Sequence, residues 1–294
     1  MPNLTKAKAI LVAIMTTLNL SACEALTDPP TTIESPDSAL MSSEFSYPIA
    51  LADYSEAAKQ LINISPDGIA IGEVHGQIAG VLLLEAVMYA ALNEGRSVLV
   101  LHEFTPSEAG LNLEKIPTGE FRVIDMTSKD LPFWKDNIDK RATWELRNFF
   151  EDISKTSYVE LSYLWDSRLN PSPNRLKAHG MAERWQIAKV ARPDSYIVAL
   201  AGNYHISVND NYPLNDTNSL CRYAEETYGF RPICVTVDNS ASLNEDCQEE
   251  QQAVLVKGSV AFKDWDYVIQ RPDRCVAQAH WVNEGAFNAP QTQR

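Results

Sequence analysis

The sequence has little positive charge and few histidines. Lysine and arginine number 25 against 39 aspartates and glutamates, which gives a formal net charge of −14, and there are only five histidines. A surface this acidic argues against binding to nucleic acids or to anionic lipid headgroups, because both need clustered basic side chains. We therefore expect no nucleic-acid partner and no membrane contact through a basic surface.

Three familiar catalytic motifs are absent. The chain has no G-x-S-x-G nucleophile elbow, no phosphate-cradling P-loop and no H-E-x-x-H zinc helix. Their absence argues against an elbow-type serine hydrolase, a P-loop phosphate-binding protein and a zincin protease.

Long hydrophobic runs suited to crossing a membrane are absent too. The N-terminal apolar run from Ala9 to about Leu20 is short of the roughly 20 apolar residues that a spanning helix needs. With the lysines before it, the run is typical of a secretory signal, which we place at residues 1–22. Residues 20–23, Leu-Ser-Ala-Cys, resemble the lipobox of bacterial lipoproteins, so we expect Cys23 to be lipid-modified. The alternative is an ordinary signal peptide.

The segment after Cys23 predicts a tether followed by one domain. Residues 23–46 are rich in Pro, Ser, Thr and acidic side chains and lack apolar periodicity, which is typical of a flexible linker. Residues 47–294 are enough for a single domain with a sizeable core. We expect an exported protein, anchored by its lipid to a bacterial membrane and facing the periplasm.

Beyond Cys23 the chain has few cysteines, and all lie in its C-terminal part. They are Cys221, Cys234, Cys247 and Cys275. In an oxidising compartment four cysteines can form two disulfides with three possible connectivities. We favour Cys221–Cys234 and Cys247–Cys275, because each pairing closes a short loop. A four-cysteine zinc site is the competing interpretation, but the spacing contains no C-x-x-C pair.

The domain alternates apolar strands with helices. The predicted strands are residues 68–73, 97–104, 158–165, 195–202 and 232–237. The predicted helices between them are residues 78–95, 142–156, 174–191 and 218–230. Strands that are apolar along their whole length are buried on both faces, as in parallel sheets covered by helices. The pattern predicts an α/β fold with a mostly parallel sheet and helices on both faces.

Ionisable side chains follow four of these strands at the point where each strand ends. They are Glu73 and His75, His102 and Glu103, Asp166, and His205. Ligands of such sheets bind at the carboxyl ends of the strands, so we expect these side chains to meet at one edge.

Imidazoles and carboxylates together are suited to a divalent cation such as Zn, Mn, Co or Fe(II). His75 and His205 could supply nitrogen ligands, and Glu73 or Glu103 an oxygen ligand. Such a set leaves a coordination position open for a water molecule or a bound ligand.

Two short segments bring a known superfamily to mind. Residues 72–75 (Gly-Glu-Val-His) and 202–205 (Gly-Asn-Tyr-His) are both G-x-x-H, and Glu103 follows the second strand between them. This arrangement, over residues 67–237, resembles the superfamily of haem-binding uptake lipoproteins (ChaN-like), Tiki and TraB proteins and erythromycin esterases, with the haem-binding branch closest. The resemblance implies their type of α/β domain, with a pocket lined by Glu73, His75, Glu103 and His205 and with Arg141 at its edge.

The resemblance implies a binding function first. The haem-binding members are linked to iron or haem acquisition, so we expect a lipid-anchored protein that binds haem, iron or another divalent metal. His75, His102 and Tyr204 could serve as axial haem ligands, since imidazole and phenolate are known in that role.

The alternative is a metal-dependent hydrolase of an amide or ester, acting on a peptide or small molecule. Tiki proteins are linked to peptide cleavage and the esterases to hydrolysis of a macrolide ring. His75, Glu103 and His205 would hold the metal, with Glu73 as general base. Two departures, Lys140 where the family suggests glycine and Lys177-Ala178 where it suggests Arg-Asp, favour a third interpretation: a relative that only folds and interacts.

Overall fold

The computed structural model describes most of the predicted domain. The described residues are 49–75, 77–135, 141–169, 177–207, 219–237, 254–257 and 266–270. The predicted signal peptide, the lipidated Cys23, the tether and the Cys247–Cys275 disulfide lie outside these ranges and stay predictions. None of the described helices has the length and apolar character that a bilayer crossing requires.

Seven strands form one sheet within the described ranges. They are β1 (Ile69–Glu73), β2 (Ser97–His102), β3 (Val159–Tyr163), β4 (Ser195–Gly202), β5 (Ile233–Val237), β6 (Val254–Lys257) and β7 (Tyr267–Gln270). Their order across the sheet is β3-β2-β4-β1-β5-β7-β6. Strands β1 to β5 are all parallel, β7 runs parallel to β5, and β6 is antiparallel to β7 at the edge. The predicted α/β class with a mostly parallel sheet is confirmed.

Helices cover both faces of this sheet. They are α1 (Ile49–Ile64), α2 (Ala79–Asn93), α3 (Pro132–Lys135), α4 (Trp144–Ser154), α5 (Lys177–Ala191), α6 (Asn203–Ile206) and α7 (Leu220–Tyr228), with a 3₁₀ turn at Leu113–Lys115. One apolar core lies between the sheet and α1, α2 and α4. A second core lies between the opposite face and α5 and α7.

Alternation along the strands divides the side chains between the two cores. In β4, Val198 and Leu200 pack in the α2 core, whereas Ile197, Ala199 and Ala201 pack in the α5 core. Successive side chains of a strand point to opposite faces, so a strand buried on both faces must be apolar at every position. The same alternation decides where a polar residue at a strand end projects.

A disulfide joins Cys221 of α7 to Cys234 of β5, as the short loop between them suggested. The predicted pairing of these two cysteines is confirmed. Closing a loop of this size contributes roughly 3 kcal/mol in the chain-entropy model. The bond holds α7 against the strand that borders β1.

Candidate functional site

The candidate site lies where β1, β2 and β4 end side by side. Strand β4 lies between the other two, and its Gly202 is the register partner of Glu73 in β1. On the other side, Leu200 of β4 is the register partner of His102, which ends β2. The residues that follow these strands are therefore delivered to one edge of the sheet.

Glu73 and His75 form a hydrogen-bonded pair. His75 Nδ1 lies 3.0 Å from Glu73 Oε1, with the Glu73 side chain buried and the His75 side chain 30% exposed. A neutral imidazole that donates through Nδ1 carries its acceptor lone pair on Nε2. With Nδ1 as the donor to Glu73, the acceptor lone pair of His75 is therefore on Nε2.

Gly202 is the point at which this imidazole and Glu103 approach each other. A Cβ atom built on Gly202 would lie 3.4 Å from His75 Nε2 and 3.4 Å from Glu103 Oε2. A methyl group there would touch both side chains, with its closest approach, 3.3 Å, to His75 Cε1. The backbone N–H of Gly202 donates to Glu103 Oε2 at 2.6 Å. Glycine at this position allows the two functional groups to share the space above the end of β4.

Glu103 is a buried carboxylate surrounded by donors and positive charge. Its Oε1 accepts a hydrogen bond from the Lys177 ammonium and lies 3.5 Å from His205 Nε2. Burial alone would raise the pKa of Glu103, but Lys177, His205 and the Gly202 N–H outweigh burial and lower that pKa to about 2. Glu103 is therefore ionised at neutral pH.

His205, on the short helix α6, is held neutral beside that carboxylate. Burial lowers the pKa of His205 by more than the negative charge of Glu103 raises it. Its Nδ1 is buried and makes no hydrogen bond to any described residue. The structure thus brings together four predicted site residues, which are Glu73, His75, Glu103 and His205.

Arg141 lies beside this group and contacts the main chain of Glu103. Its Nη1 donates to the Glu103 carbonyl oxygen, and its Nη2 donates to Glu108 Oε1 at 2.6 Å. The guanidinium also lies over the Phe133 ring, with 5.6 Å between Cζ and the ring centroid. Arg141 therefore fixes the backbone at the end of β2 and adds positive charge to this edge.

His102 lies on the opposite face, away from the Glu103 carboxylate. Its ring packs against Phe104, Phe133 and Phe150, at centroid distances of 5.0, 5.8 and 5.5 Å. Neither ring nitrogen has a hydrogen-bond partner among the described residues. Burial, reinforced by Arg141, lowers the pKa of His102 to about 3, so the ring is a neutral part of the core.

Two further predicted residues also lie apart from the group. The buried carboxylate of Asp166 is occupied by Arg168, whose Nε and Nη2 donate to it at 2.9 and 2.7 Å. This pairing stabilises the turn after β3. Tyr204, at the start of α6, is 54% exposed at the surface next to His205.

Lys177 is the site residue that the sequence reasoning missed. It is the first residue of α5 and reaches Glu103 across the end of the sheet, with Nζ 4.2 Å from the centroid of the Trp165 ring. The available signal was positional: in a βαβ unit, the helix that follows a strand begins at the carboxyl edge. In the sequence, Lys177 stood out only as a departure from the family pattern.

The predicted metal ligands do not fit a metal ion in this arrangement. Among the residues that the structure describes, no three His, Cys, Asp or Glu side chains form a group suited to a cation. Glu103 Oε1 already accepts from the Lys177 ammonium, and Glu103 Oε2 from the Gly202 N–H. Glu73 is engaged by His75 in the same way.

No family model matches this chain, and neither a curated protein nor a solved structure matches it. The resemblance to the haem-binding uptake, Tiki and esterase superfamily therefore stays a prediction based on the two G-x-x-H segments and Glu103.

Proposed function

We propose that this protein is a hydrolase of an ester or amide in which His75 is the general base. The observation that carries the proposal is the Glu73–His75 pair, with 3.0 Å between Oε1 and Nδ1 and with Nε2 close to Gly202. A buried carboxylate that accepts from Nδ1 fixes the tautomer and orients the ring. It also stabilises the imidazolium that forms when Nε2 takes a proton.

The reaction that this pair supports is attack of water on a carbonyl carbon. Nε2 of His75 accepts a proton from the water as its oxygen bonds to carbon, which gives a tetrahedral oxyanion and an imidazolium. The imidazolium then donates that proton to the leaving oxygen or nitrogen as its bond to carbon breaks. The products are a carboxylic acid and an alcohol or amine, and His75 is again neutral.

Glu73 and Glu103 have different roles in this proposal from the ones that the family resemblance implied. Glu73 was expected to be the base itself, but its hydrogen bond to His75 makes it a positioning residue. Glu103 was expected to bind a metal. Its contacts with Lys177, the Gly202 N–H and His205 make it a fixed anion that holds the site together.

Haem binding is a second candidate, favoured by the exposure of Tyr204. A phenol that is 54% exposed lies one residue before His205, where a planar ligand could reach it from solvent. Phenolate and imidazole are both haem-iron ligands. In this candidate His75, which is 30% exposed, is the other accessible ligand.

The two candidates are separated by assaying the purified full chain in two ways. Hydrolysis of p-nitrophenyl acetate and p-nitroacetanilide is followed by absorbance, and haem is titrated in parallel and read from its absorbance band. We expect turnover that falls by about 10²- to 10⁴-fold in His75→Ala, the usual contribution of general base catalysis.

The matched control is His179→Ala. This histidine of α5 stacks on Tyr223 at 3.9 Å between ring centroids and belongs to no part of the site. It is expected to retain wild-type turnover. Absence of hydrolysis together with a haem band lost in His75→Ala or Tyr204→Phe would replace the hydrolase with the binding protein.

A further inference from the structure

We infer that Lys177 is a catalytic residue, whose ammonium stabilises the oxyanion of the tetrahedral intermediate in the position where the family resemblance implies a metal ion. The inference rests on the proposed hydrolysis at the same site. It assigns the positive charge that this reaction needs to a residue of the chain itself.

The first observation is how Lys177 is held. Its Nζ donates to Glu103 Oε1 and lies 4.2 Å from the centroid of the Trp165 ring. An ammonium has three N–H donors, and within the described ranges Glu103 and Trp165 are the partners that Lys177 contacts. Its side chain is 24% exposed, so part of Lys177 is open to solvent.

The second observation is where this charge lies relative to the base. Glu103 Oε1 contacts Lys177, and Glu103 Oε2 approaches the same point above Gly202 as His75 Nε2 does. The cation and the base therefore flank one carboxylate. In the proposed complex the attacked carbonyl carbon faces Nε2 of His75 and the carbonyl oxygen faces the ammonium of Lys177.

The third observation is that the ammonium of Lys177 lies against Glu103, where a bound metal ion would have to lie. Glu103 lies between two imidazoles, His75 and His205, which is the donor set that suggested a metal in the sequence. A divalent ion bound to Glu103 would have to compete with the ammonium that already pairs with it, and the two positive charges would repel each other.

A fixed cation close to the developing negative charge supplies the stabilisation that a Lewis acid would otherwise give. Charged donors that are already oriented in a partly buried site are effective in this role, because they need no rearrangement as the charge develops. The chain thus holds, in Lys177, its own counterpart to a bound metal ion. The ligand class that fits is a carbonyl compound whose intermediate is an anion.

The test compares three variants of the full chain. Lys177→Met removes the charge at similar length, and Lys177→Arg keeps the charge. Removing the lysine alone leaves Glu103 buried without its main partner, which threatens folding. The third variant, Lys177→Met with Glu103→Gln, removes both charges and keeps an acceptor for the Gly202 N–H. Thermal unfolding of each variant is recorded alongside.

Two readouts are measured on each variant. The first is kcat and KM with p-nitrophenyl acetate, with and without EDTA. The second is binding of phenylphosphonate, a tetrahedral anion, by calorimetry, which does not depend on turnover. We expect kcat to fall by about 10²- to 10³-fold in both Met variants with little change in KM, and Lys177→Arg to recover part of it. Phenylphosphonate affinity should fall at least tenfold, and EDTA should leave kcat unchanged.

Failure of the inference is distinguishable from failure of the hydrolase. Wild-type turnover that is lost in His75→Ala but kept in a folded Met variant would overturn the role of Lys177 and leave the hydrolase standing. Activity that is lost with EDTA and restored by Zn²⁺ would also overturn the role of Lys177, because a metal ion would then supply the positive charge. No turnover in the wild type, with phenylphosphonate binding that depends on Lys177, would remove the hydrolase and support only an anion site. Neither turnover nor binding would overturn both.

Discussion

Glu73, the last residue of β1, is the register partner of Gly202, the last residue of β4. The two G-x-x-H segments of the sequence therefore leave the sheet side by side, although about 130 residues separate them. This pairing brings His75 to Gly202, and the pairing of β2 with the other side of β4 brings Glu103 there.

Gly202→Ala should reduce turnover because the added methyl group would displace the His75 imidazole slightly. The added Cβ would lie 3.3 Å from His75 Cε1 and 3.4 Å from Glu103 Oε2, so the imidazole must shift by a few tenths of an ångström. We expect kcat for p-nitrophenyl acetate to fall at least tenfold, because small displacements of a base are costly. Stability should change by less than about 2 kcal/mol.

The control for that substitution is Gly229→Ala. Gly229 ends α7 with a φ of 73°, and a Cβ there would meet no atom within 4 Å. Alanine at this position costs roughly 1 kcal/mol of stability through its backbone alone and leaves the site untouched. Equal kcat in Gly202→Ala and wild type would contradict the arrangement of His75 and Glu103 described above.

Glu103→Gln should flatten the acid dependence of stability. The pKa of Glu103 is about 2 in the folded chain against 4.5 for an unperturbed glutamate, so the folded state favours the ionised form. The contribution of ionised Glu103 to the free energy of unfolding is fully present above about pH 4.5 and is lost as the pH falls towards 2. Over that window the linkage amounts to about 3 kcal/mol.

The measurement is the free energy of unfolding in urea, at several pH values between 7 and 3, for the wild type and Glu103→Gln. The wild type should lose more stability than the variant below pH 4.5. Parallel curves for the two proteins in this range would show that Glu103 is not held ionised by Lys177.

His102→Phe should make the protein more resistant to mild acid. The pKa of His102 is about 3 in the folded chain and 6.5 when unperturbed, so the unfolded chain binds the proton first as the pH falls. The wild type therefore loses stability below pH 6.5, by about 2 kcal/mol at pH 5 relative to pH 7. A phenylalanine at this position would pack in the same aromatic cluster, and its side chain does not titrate, so it adds no pH dependence to the stability.

Urea unfolding of His102→Phe at pH 7 and pH 5 checks this expectation, with hydrolysis and haem titration measured at pH 7. The variant should lose less stability than the wild type between the two pH values, with the remaining loss coming from His205, whose pKa burial also lowers, and both functional readouts should match the wild type. A stable variant that has lost haem binding would show that His102 is a haem ligand, as the sequence predicted.

Reducing the Cys221–Cys234 disulfide should destabilise the fold without removing the site residues. The bond closes a short loop between α7 and β5, and its loss costs roughly 3 kcal/mol in the chain-entropy model. Thermal unfolding of Cys221→Ser with Cys234→Ser, compared with the wild type, gives the size of the effect. Equal melting temperatures would indicate that packing of α7 alone fixes this edge.

The core of the fold could be predicted from the sequence because strands β1, β2, β4 and β5 are apolar at most positions. Helix α1 was missed, although Ala57, Ala58, Leu61 and Ile62 carry the spacing of a buried helical stripe. Strands β6 and β7 were also missed. Each is four residues long, too short for periodicity to separate a strand from a loop.

The site was predicted in part, and strand geometry explains the remainder. His102 and Glu103 are adjacent in sequence and were assigned to the same pocket, but neighbouring positions of a strand project to opposite faces. Lys177 was missed because its partner lies 74 positions earlier, and a single sequence gives no sign of such a contact. The ionisable residues at the strand ends predicted that the site lies at this edge of the sheet, but they did not predict which charged side chains contact each other there.

The position of β4 also bears on how the protein folds. It lies between β1 and β2 but follows both in the chain, so these two strands have no direct partner in each other. A growing chain that ends before residue 202 lacks the strand that joins them. Long-range pairing of this kind is completed late in folding. The same strand carries Gly202, so a chain truncated before β4 lacks both the strand that joins β1 to β2 and the candidate site.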